Sequence, residues 1–203
     1  MQSLLLAYPD ERFHAELPLV RRAAAAFPDP VGAPLLRFAD HAEQAPRTVL
    51  AADYVATFDH RKRCCLFLTY YAHGDTRKRG VALLRLKQAY ARAGWRLGDD
   101  ELSDHLAVVL EFAAAADDAH ILVEHRAGLE LLRIALRDSG SPWADVLASV
   151  SATLPALSGD ERTAVARLAA QGPPEEQVGL APYIPTAAPA AISRPPGTPG
   201  GSR

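Results

Sequence analysis

Acidic side chains crowd one short stretch in the middle of the chain, and a histidine follows them directly. Four carboxylates fall within six residues, and together with the histidine they are Asp99, Asp100, Glu101, Asp104 and His105. No Lys or Arg occurs between Leu97 and His125, so these carboxylates have no cation close in sequence. We expect an acidic rim that accepts a basic amphipathic peptide. The alternative for Asp104 and His105 is a helix-start charge beside a half-buried histidine.

A basic cluster precedes the acidic one. Arg77, Lys78 and Arg79 follow a turn at Gly74-Asp75, where a helix is expected to start. The backbone amides of a helix start can hold a phosphate, and Arg77 and Arg79 would assist. However, the chain has no GxGxxG and no GxxxxGK[ST] motif to cradle a phosphate. The pattern therefore favours a turn with a helix cap over a phosphate site.

Signatures of catalysis and of metal binding are weak. His60 and Cys64, and likewise His120 and Glu124, have helical i,i+4 spacing, but neither pair has a third ligand nearby. The HExxH motif is absent, and no nucleophile elbow anchors a Ser-His-Asp triad. Cys64 and Cys65 are adjacent, would point about 100° apart on a helix, and are expected to be buried free thiols. These observations favour a binding protein without a metal over an enzyme.

Charge is divided between two neighbouring blocks, although the net charge is only −2. Residues 60–96 contain ten Lys and Arg against one acid, and the acidic block follows them. The blocks can neutralise each other or keep the surface solvated. Alternatively, they offer a groove to charged partners, with the basic patch meeting phosphates or an acidic protein surface. A nucleic-acid-binding helical regulator using residues 60–96 is the alternative function, although a pI of 6.4 and the lack of a helix-turn-helix pattern oppose it.

The elements that position these residues are predicted to be helices. Hydrophobic residues make up 49% of the chain, Ala and Leu dominate, and no alternating strand pattern appears. Helices are expected at residues 11–26, 33–45, 47–58, 61–73, 75–93, 102–115 and 119–137, then from Ser141-Pro142, and last from a capping box at Ser158 to Ala170. The fold class is therefore all-α.

These helices assign a place to several side chains. Asp104 falls in the first turn of the helix at 102–115, with His105 at the edge of its apolar stripe. His125 lies on a leucine stripe and is expected in the core, whereas Arg126 and Glu130 form an i,i+4 pair on the exposed side. One of the two tyrosines at 70 and 71 is expected in the core.

The last part of the chain differs in composition. Residues 172–203 hold 8 of the 16 prolines, which opposes a packed helix. We expect residues 1–171 to form one helical domain and residues 172–203 a disordered Pro/Gly/Ala-rich tail, in which 178–185 can dock back onto the body. No apolar run is long enough to span a membrane, and the N-terminus lacks the basic region of a signal peptide. A cytoplasmic protein that does not insert into membranes is expected.

Five segments together are similar to a known family. YVATFD, LTYYAHGDTRKRG, ALLRLKQAY, ELSDHLAVVLEF and EHRAGLELL, which begin at Tyr54, Leu68, Ala82, Glu101 and Glu124, occur in the order found in the delta-subunit (NarJ-type) assembly chaperones of respiratory nitrate reductase. These belong to the wider TorD-like family. The resemblance covers roughly residues 1–185 and is highly specific across 54–143. One departure is Ser103, where the family usually has proline.

The resemblance implies a helical TorD-like bundle and a function. Such chaperones bind the N-terminal segment of the apo catalytic (alpha) subunit of nitrate reductase in the cytoplasm. They support insertion of the molybdenum guanine dinucleotide cofactor before membrane docking, and they are not part of the finished enzyme. The cofactor would be delivered to the client and not held permanently, with cofactor biosynthesis proteins as a further class of partner and no nucleic acid. The resemblance also places Asp104 and His105 in the region that recognises the leader.

Overall fold

The computed structural model describes residues 1–98 and 101–174. In this part of the chain every regular element is helical, which confirms the all-α prediction. The helices are α1 (Gln2–Leu5), α2 (Glu11–Ala24), α3 (Asp29–Gln44), α4 (Arg47–Phe58), α5 (Leu68–His73), α6 (Arg77–Arg92), α7 (Leu106–Ala116), α8 (His120–Glu124), α9 (Arg126–Asp138), α10 (Trp143–Thr153) and α11 (Gly159–Gln171). A 3-10 turn at Lys62–Cys64 lies between α4 and α5.

Local sequence signals set several helix ends. The Asp10 side chain caps α2 by accepting a hydrogen bond of 2.9 Å from the amide of Phe13. The predicted capping box of α11 is confirmed, because Ser158 and Glu161 each bond the other's backbone amide. Helix α5 ends at Gly74, which has φ of 58°, a left-handed value that costs glycine little.

An aromatic cluster forms the centre of the core, where α3 packs on α10 and α2 and α9 flank them. The ring of Trp143 is fully buried, and the rings of Phe38, Tyr54 and Phe58 lie 5.4–5.6 Å from it between centroids. The indole Nε1 donates to the Leu5 carbonyl at 3.1 Å, which fixes the N-terminus on this core. Buried aromatic rings contribute large apolar areas, so this cluster dominates the packing.

A close approach of α5 to α9 places the next layer. A Cβ on Gly128 would lie 2.8 Å from the Cβ of Tyr71, so only glycine allows this contact. Tyr71 is buried, and its hydroxyl donates to the carbonyls of Arg63 and Cys65 at 3.0 and 2.8 Å. Tyr71 is therefore the core tyrosine of the pair, and it holds the 3-10 turn against α5.

Three predicted helices are wrong in extent. The helix predicted at 61–73 is a 3-10 turn, an extended link and the short α5. The helix predicted from Leu102 begins at Leu106, and Leu102 is 45% exposed instead of lying on an apolar stripe. Both errors have one cause, because the segments around Phe67 and His105 pair with each other in an isolated antiparallel bridge. The helix predicted at 119–137 is interrupted at His125.

Two further expectations about helices are changed. Helix α10 begins at Trp143, and the Ser141 hydroxyl does not cap it. Arg126 and Glu130 do form an i,i+4 ion pair, but it is buried and not on the exposed side. In residues 1–98 and 101–174 we find no helix with the length and apolar character needed to cross a membrane.

Candidate functional site

The two most distinctive sequence segments meet at a backbone junction. The amide of Leu68 donates to the Asp104 carbonyl at 3.0 Å, and the amide of Leu106 donates to the Leu66 carbonyl at 2.8 Å. These two bonds join the start of α5 to the start of α7. Residues that are more than thirty positions apart in sequence therefore form one site, which we call the α5–α7 junction.

Asp104 lies at the centre of the α5–α7 junction and is completely buried. Its Oδ2 accepts hydrogen bonds from the hydroxyl and, at 3.3 Å, the amide of Thr69. The same oxygen lies 3.5 Å from a guanidinium nitrogen of Arg79. A buried carboxylate needs partners of this kind to offset its desolvation. Asp104 thus connects α5, α6 and α7 and does not lie on an exposed rim.

Arg79 is directed inward from α6, unlike its neighbours. Its side chain is 19% exposed, binds Asp75 at 3.3 Å and lies 5.3 Å from the centre of the Phe67 ring. Arg77 and Lys78 are exposed. The predicted basic patch therefore contributes two side chains to the surface and one to the α5–α7 junction. The Gly74-Asp75 segment is a turn between helices, with the Thr76 hydroxyl donating to the His73 carbonyl at 2.8 Å.

Ser103, which stands where the resemblance leads us to expect proline, has a specific role. It is fully buried, and its hydroxyl donates to the Leu83 carbonyl at 2.9 Å. The Ser103 carbonyl in turn accepts a 2.6 Å bond from the Tyr90 hydroxyl. These bonds fasten the segment before α7 to α6. A proline could not make the first of them, so this chain gains a link there.

His105 is half-buried beside Asp104 and precedes the first residue of α7. Its ring lies 5.4 Å from the Phe67 ring in a T-shaped contact. Burial lowers the pKa of His105, and the Asp104 charge opposes this only in part. His125 also has its pKa lowered, mainly by burial. Neutral imidazoles are therefore favoured at both positions.

An apolar pocket with acidic residues at its edge lies between α6 and α7. The pocket has a volume of about 210 Å³, and its apolar wall includes Tyr90, Trp95 and Phe112. Glu101 and Glu111 line the same pocket together with one cation, Arg96. Of the predicted acidic rim, Glu101 is thus at the surface beside apolar side chains. Asp99 and Asp100 lie outside the described residues.

A buried ion-pair network on α9 was missed at the sequence level. Glu130 is 2% exposed and accepts bonds from Ser151 at 2.6 Å and Arg133 at 2.7 Å, while Arg126 lies 3.1 Å away. Burial alone would raise the pKa of Glu130, but these hydrogen bonds and the two guanidinium charges lower it below its usual value. The i,i+4 spacing indicated the pair, but its burial depends on Ser151 of α10.

The largest cavity found in the described part of the chain lies between the 3-10 turn, α5, α9 and α11. Its volume is about 650 Å³. The lining is mainly apolar and includes Tyr70, Leu131, Ile134 and Leu168, while Arg61, Lys62 and Arg63 lie at its edge. Cys64 also lines this cavity. Both cysteines are free thiols, as predicted, but only Cys64 is fully buried and Cys65 is half-buried. We call this space the α9 groove.

Comparison with known proteins decides the family. The sequence model of the family described as nitrate reductase delta subunit matches residues 24–149, which is more than half of the chain. The chain belongs to this family. The α5–α7 junction, with Thr69, Arg79 and Asp104, lies within the matched residues.

Curated relatives carry names connected with nitrate reductase, and those from Bacillus subtilis and Escherichia coli are named as molybdenum cofactor assembly chaperones. The chain is 38% identical over 116 residues to the "Probable nitrate reductase molybdenum cofactor assembly chaperone NarJ" of Bacillus subtilis, covering 57% of this chain and 63% of that protein. It is 29% identical over 147 residues to the NarW protein of Escherichia coli, with 69% and 60% covered. It is 35% identical over 154 residues to the "Nitrate reductase-like protein NarX" of Mycobacterium tuberculosis, with 74% and 23% covered. The chain thus spans less than two thirds of the length of each of these relatives.

Polar and apolar side chains of the candidate site are separated in space. In residues 1–98 and 101–174 no three His, Cys, Asp or Glu side chains are grouped so that they could hold a metal. The polar residues of the α5–α7 junction bind one another in the interior, whereas the α9 groove and the pocket between α6 and α7 have mainly apolar walls with charged side chains among their lining residues. Such pockets suit amphipathic protein segments.

Proposed function

We propose that this protein is an assembly chaperone for respiratory nitrate reductase. It binds the N-terminal segment of the apo catalytic subunit and keeps that subunit ready for insertion of the molybdenum cofactor before membrane docking. The family match over residues 24–149 carries this proposal. The names of the Bacillus subtilis and Escherichia coli relatives support it, because both are described as molybdenum cofactor assembly chaperones.

The client segment binds as an amphipathic helix beside Glu101. Tyr90, Trp95 and Phe112 give the pocket there an apolar wall, and Glu101 and Glu111 supply negative charge at its edge. A helix with one apolar face and basic flanks matches this arrangement. Asp99 and Asp100, which are close in sequence to Glu101, belong to the same proposed rim.

Asp104 and His105 affect this pocket through the position of α7 and not through direct contact with the client. Asp104 fixes the start of α7 to α5 and α6, and α7 carries Glu111 and Phe112 of the pocket. The contribution of Asp104 to client binding is therefore to position the wall of the pocket. The molybdenum guanine dinucleotide is cargo for the client in this scheme, and the chaperone acts in the cytoplasm without catalysing a reaction.

Calorimetry with a synthetic peptide tests the proposal. The peptide carries ~15–30 residues from the N-terminus of the catalytic subunit, and a scrambled peptide is the control. We expect a Kd of about 1 μM or lower, which corresponds to about −8 kcal/mol. Equal binding of both peptides would remove the specific-chaperone function, and tight, salt-sensitive binding of duplex DNA would favour the regulator instead.

A pair of charge variants tests the location of the site. Glu101→Gln combined with Glu111→Gln removes two charges at the pocket edge and should weaken leader binding by about 5- to 30-fold at low salt. Asp53→Asn combined with Asp59→Asn makes the same change in charge at an exposed position of α4 and at the exposed residue that follows this helix, and should leave the affinity unchanged. If both double variants bind like the parent protein, the leader binds elsewhere.

A further inference from the structure

Helix α11 lies on the outside of α9. None of its residues is buried, and Leu168 is the residue of α11 that packs against the hydrophobic core. The helix start is stabilised by its own capping box, with Ser158 and Glu161 bonding each other's amides. A 13-residue helix is marginal in isolation. We therefore expect α11 to detach at a low free-energy cost relative to global unfolding.

The apolar surface that faces α11 is larger than the part of it that α11 covers. The α9 groove keeps a volume of about 650 Å³ while α11 lies on it. A smaller cavity of about 70 Å³ shares Tyr71 and Leu168 with the groove and extends it toward Gly128. Of α11, the small side chain of Ala169 lines the groove beside Leu168. A helix with a larger apolar residue at this position would fill space that α11 leaves open.

The charges at the edge of the α9 groove indicate which charged residues a helix bound there should have. Arg61, Lys62 and Arg63 are exposed, and none of them makes an ion pair with residues 1–98 or 101–174. One acid, Asp138, also lines the groove, but it pairs with Arg137 at 3.0 Å, so positive charge is in excess there. The C-terminal part of α11 lines the cavity with these cations through Leu168 and Ala169, and Gly172 and Pro173 line it just after the helix. The carbonyl end of a helix carries partial negative charge, so α11 already complements this edge. Acidic side chains in the same place would complement it better.

We propose that the α9 groove is a protein-docking surface for an amphipathic helix that has large apolar residues on one face and acidic residues in its last turn, and that this helix displaces α11. The groove is separate from the pocket beside Glu101, and the proposal does not depend on the leader site. Because α11 occupies the groove, the partner's apparent affinity is reduced by the fraction of molecules in which the groove is closed.

Two synthetic peptides serve as probes. Both have the sequence of residues 158–174 with Ala169→Leu, which enlarges the apolar side that lines the groove. One also carries Ala170→Glu and Gln171→Glu, and the other carries Ala170→Lys and Gln171→Lys. We expect fluorescence anisotropy with the full chain to show about tenfold tighter binding of the acidic peptide. The combined variant Arg61→Glu and Arg63→Glu should reverse that preference.

Loosening α11 must raise the affinity of the acidic peptide. Leu168→Ala removes the main anchor of α11 and should tighten peptide binding by about three- to tenfold. Arg167→Ala is the matched control, because it truncates the neighbouring residue of the same helix, which is exposed and lines neither cavity. Ser158→Ala loosens α11 from its cap, leaves the groove intact, and should act in the same direction as Leu168→Ala.

Cys64 reports the opening of the groove without any peptide. In a Cys65→Ser background, Ellman's reagent should modify Cys64 faster when Leu168→Ala or Ser158→Ala is present than when Arg167→Ala is present. The proposal is overturned if Leu168→Ala and Ser158→Ala both leave the Cys64 reactivity and the peptide affinity at the values measured for Arg167→Ala. It is also overturned if the acidic and lysine peptides bind equally, because binding would then be an unspecific apolar contact.

Discussion

Asp104→Asn is the substitution with the most informative expected outcome. The sequence placed Asp104 on a rim that contacts a peptide, and the substitution would then weaken binding and leave the fold intact. In the structure its carboxylate is buried and binds Thr69 and Arg79. We therefore expect Asp104→Asn to lower the stability of the folded protein, and to affect client binding through the position of α7.

The size of the effect follows from the partners of each oxygen. Oδ2 accepts both bonds from Thr69, and these remain with an asparagine whose oxygen takes that place. The asparagine NH₂ group then replaces Oδ1, which is buried without a hydrogen-bond partner in the described residues, and an unsatisfied donor there costs ~1–3 kcal/mol. Loss of the charge opposite the partly exposed Arg79 adds a smaller amount. The total is about 3 kcal/mol, or about 6–12 °C in Tm for a domain of this size.

Thermal and urea unfolding followed by circular dichroism provide the measurement. Asp75→Asn is the matched control, because Asp75 also pairs with Arg79, at 3.3 Å, but its side chain is 68% exposed. That control should change the free energy of unfolding by less than about 0.5 kcal/mol. If Asp104→Asn and Asp75→Asn unfold at the same temperature as the parent protein, Asp104 does not hold the three helices together as argued.

Other side chains give further expectations. Glu130→Gln leaves Arg126 buried without its counter-charge and should lower the free energy of unfolding in urea by about 3–5 kcal/mol. Glu16→Gln, in the exposed i,i+4 pair on α2, is the control and should lower it by less than about 0.5 kcal/mol. Equal losses in the two variants would contradict the buried network. The lowered pKa values of His105 and His125 mean that the unfolded state binds more protons, so stability should be full above the unfolded pKa of about 6.5 and fall as the pH drops from ~7 to ~5. Replacing both histidines with glutamine should flatten this pH dependence, and an unchanged slope would assign it to other groups.

The sequence predicted well those features that depend on local chemistry. Helix starts and stops at the Ser158 capping box and at Gly74 follow from neighbouring residues, and both are confirmed. The all-α class follows from composition and helical periodicity. The free thiols at Cys64 and Cys65 also follow from spacing alone.

Features that depend on distant residues were not predicted. The bridge between Phe67 and His105 interrupts the helices predicted at 61–73 and 102–115. No local sequence pattern predicts a pairing between residues so far apart in the chain. The Arg126–Glu130 pair has the spacing of an exposed helix pair, and its burial depends on Ser151 of α10. Asp104 likewise looked like an exposed carboxylate, since its partners Thr69 and Arg79 are distant in sequence. Its predicted role, and those of Asp99, Asp100, Glu101 and His105, in binding a client peptide remain predictions.

Co-purification with the client tests the central claim most directly. The protein is tagged and co-expressed with the nitrate reductase catalytic subunit in a host that cannot make the molybdenum cofactor, and the bound proteins are quantified by mass spectrometry. The account predicts a roughly equimolar complex with the full catalytic subunit, and its loss when the first ~30 residues of that subunit are deleted. If the truncated subunit is retained as well as the full one, or if neither is retained, the protein does not act by capturing the N-terminal segment of the apo-subunit.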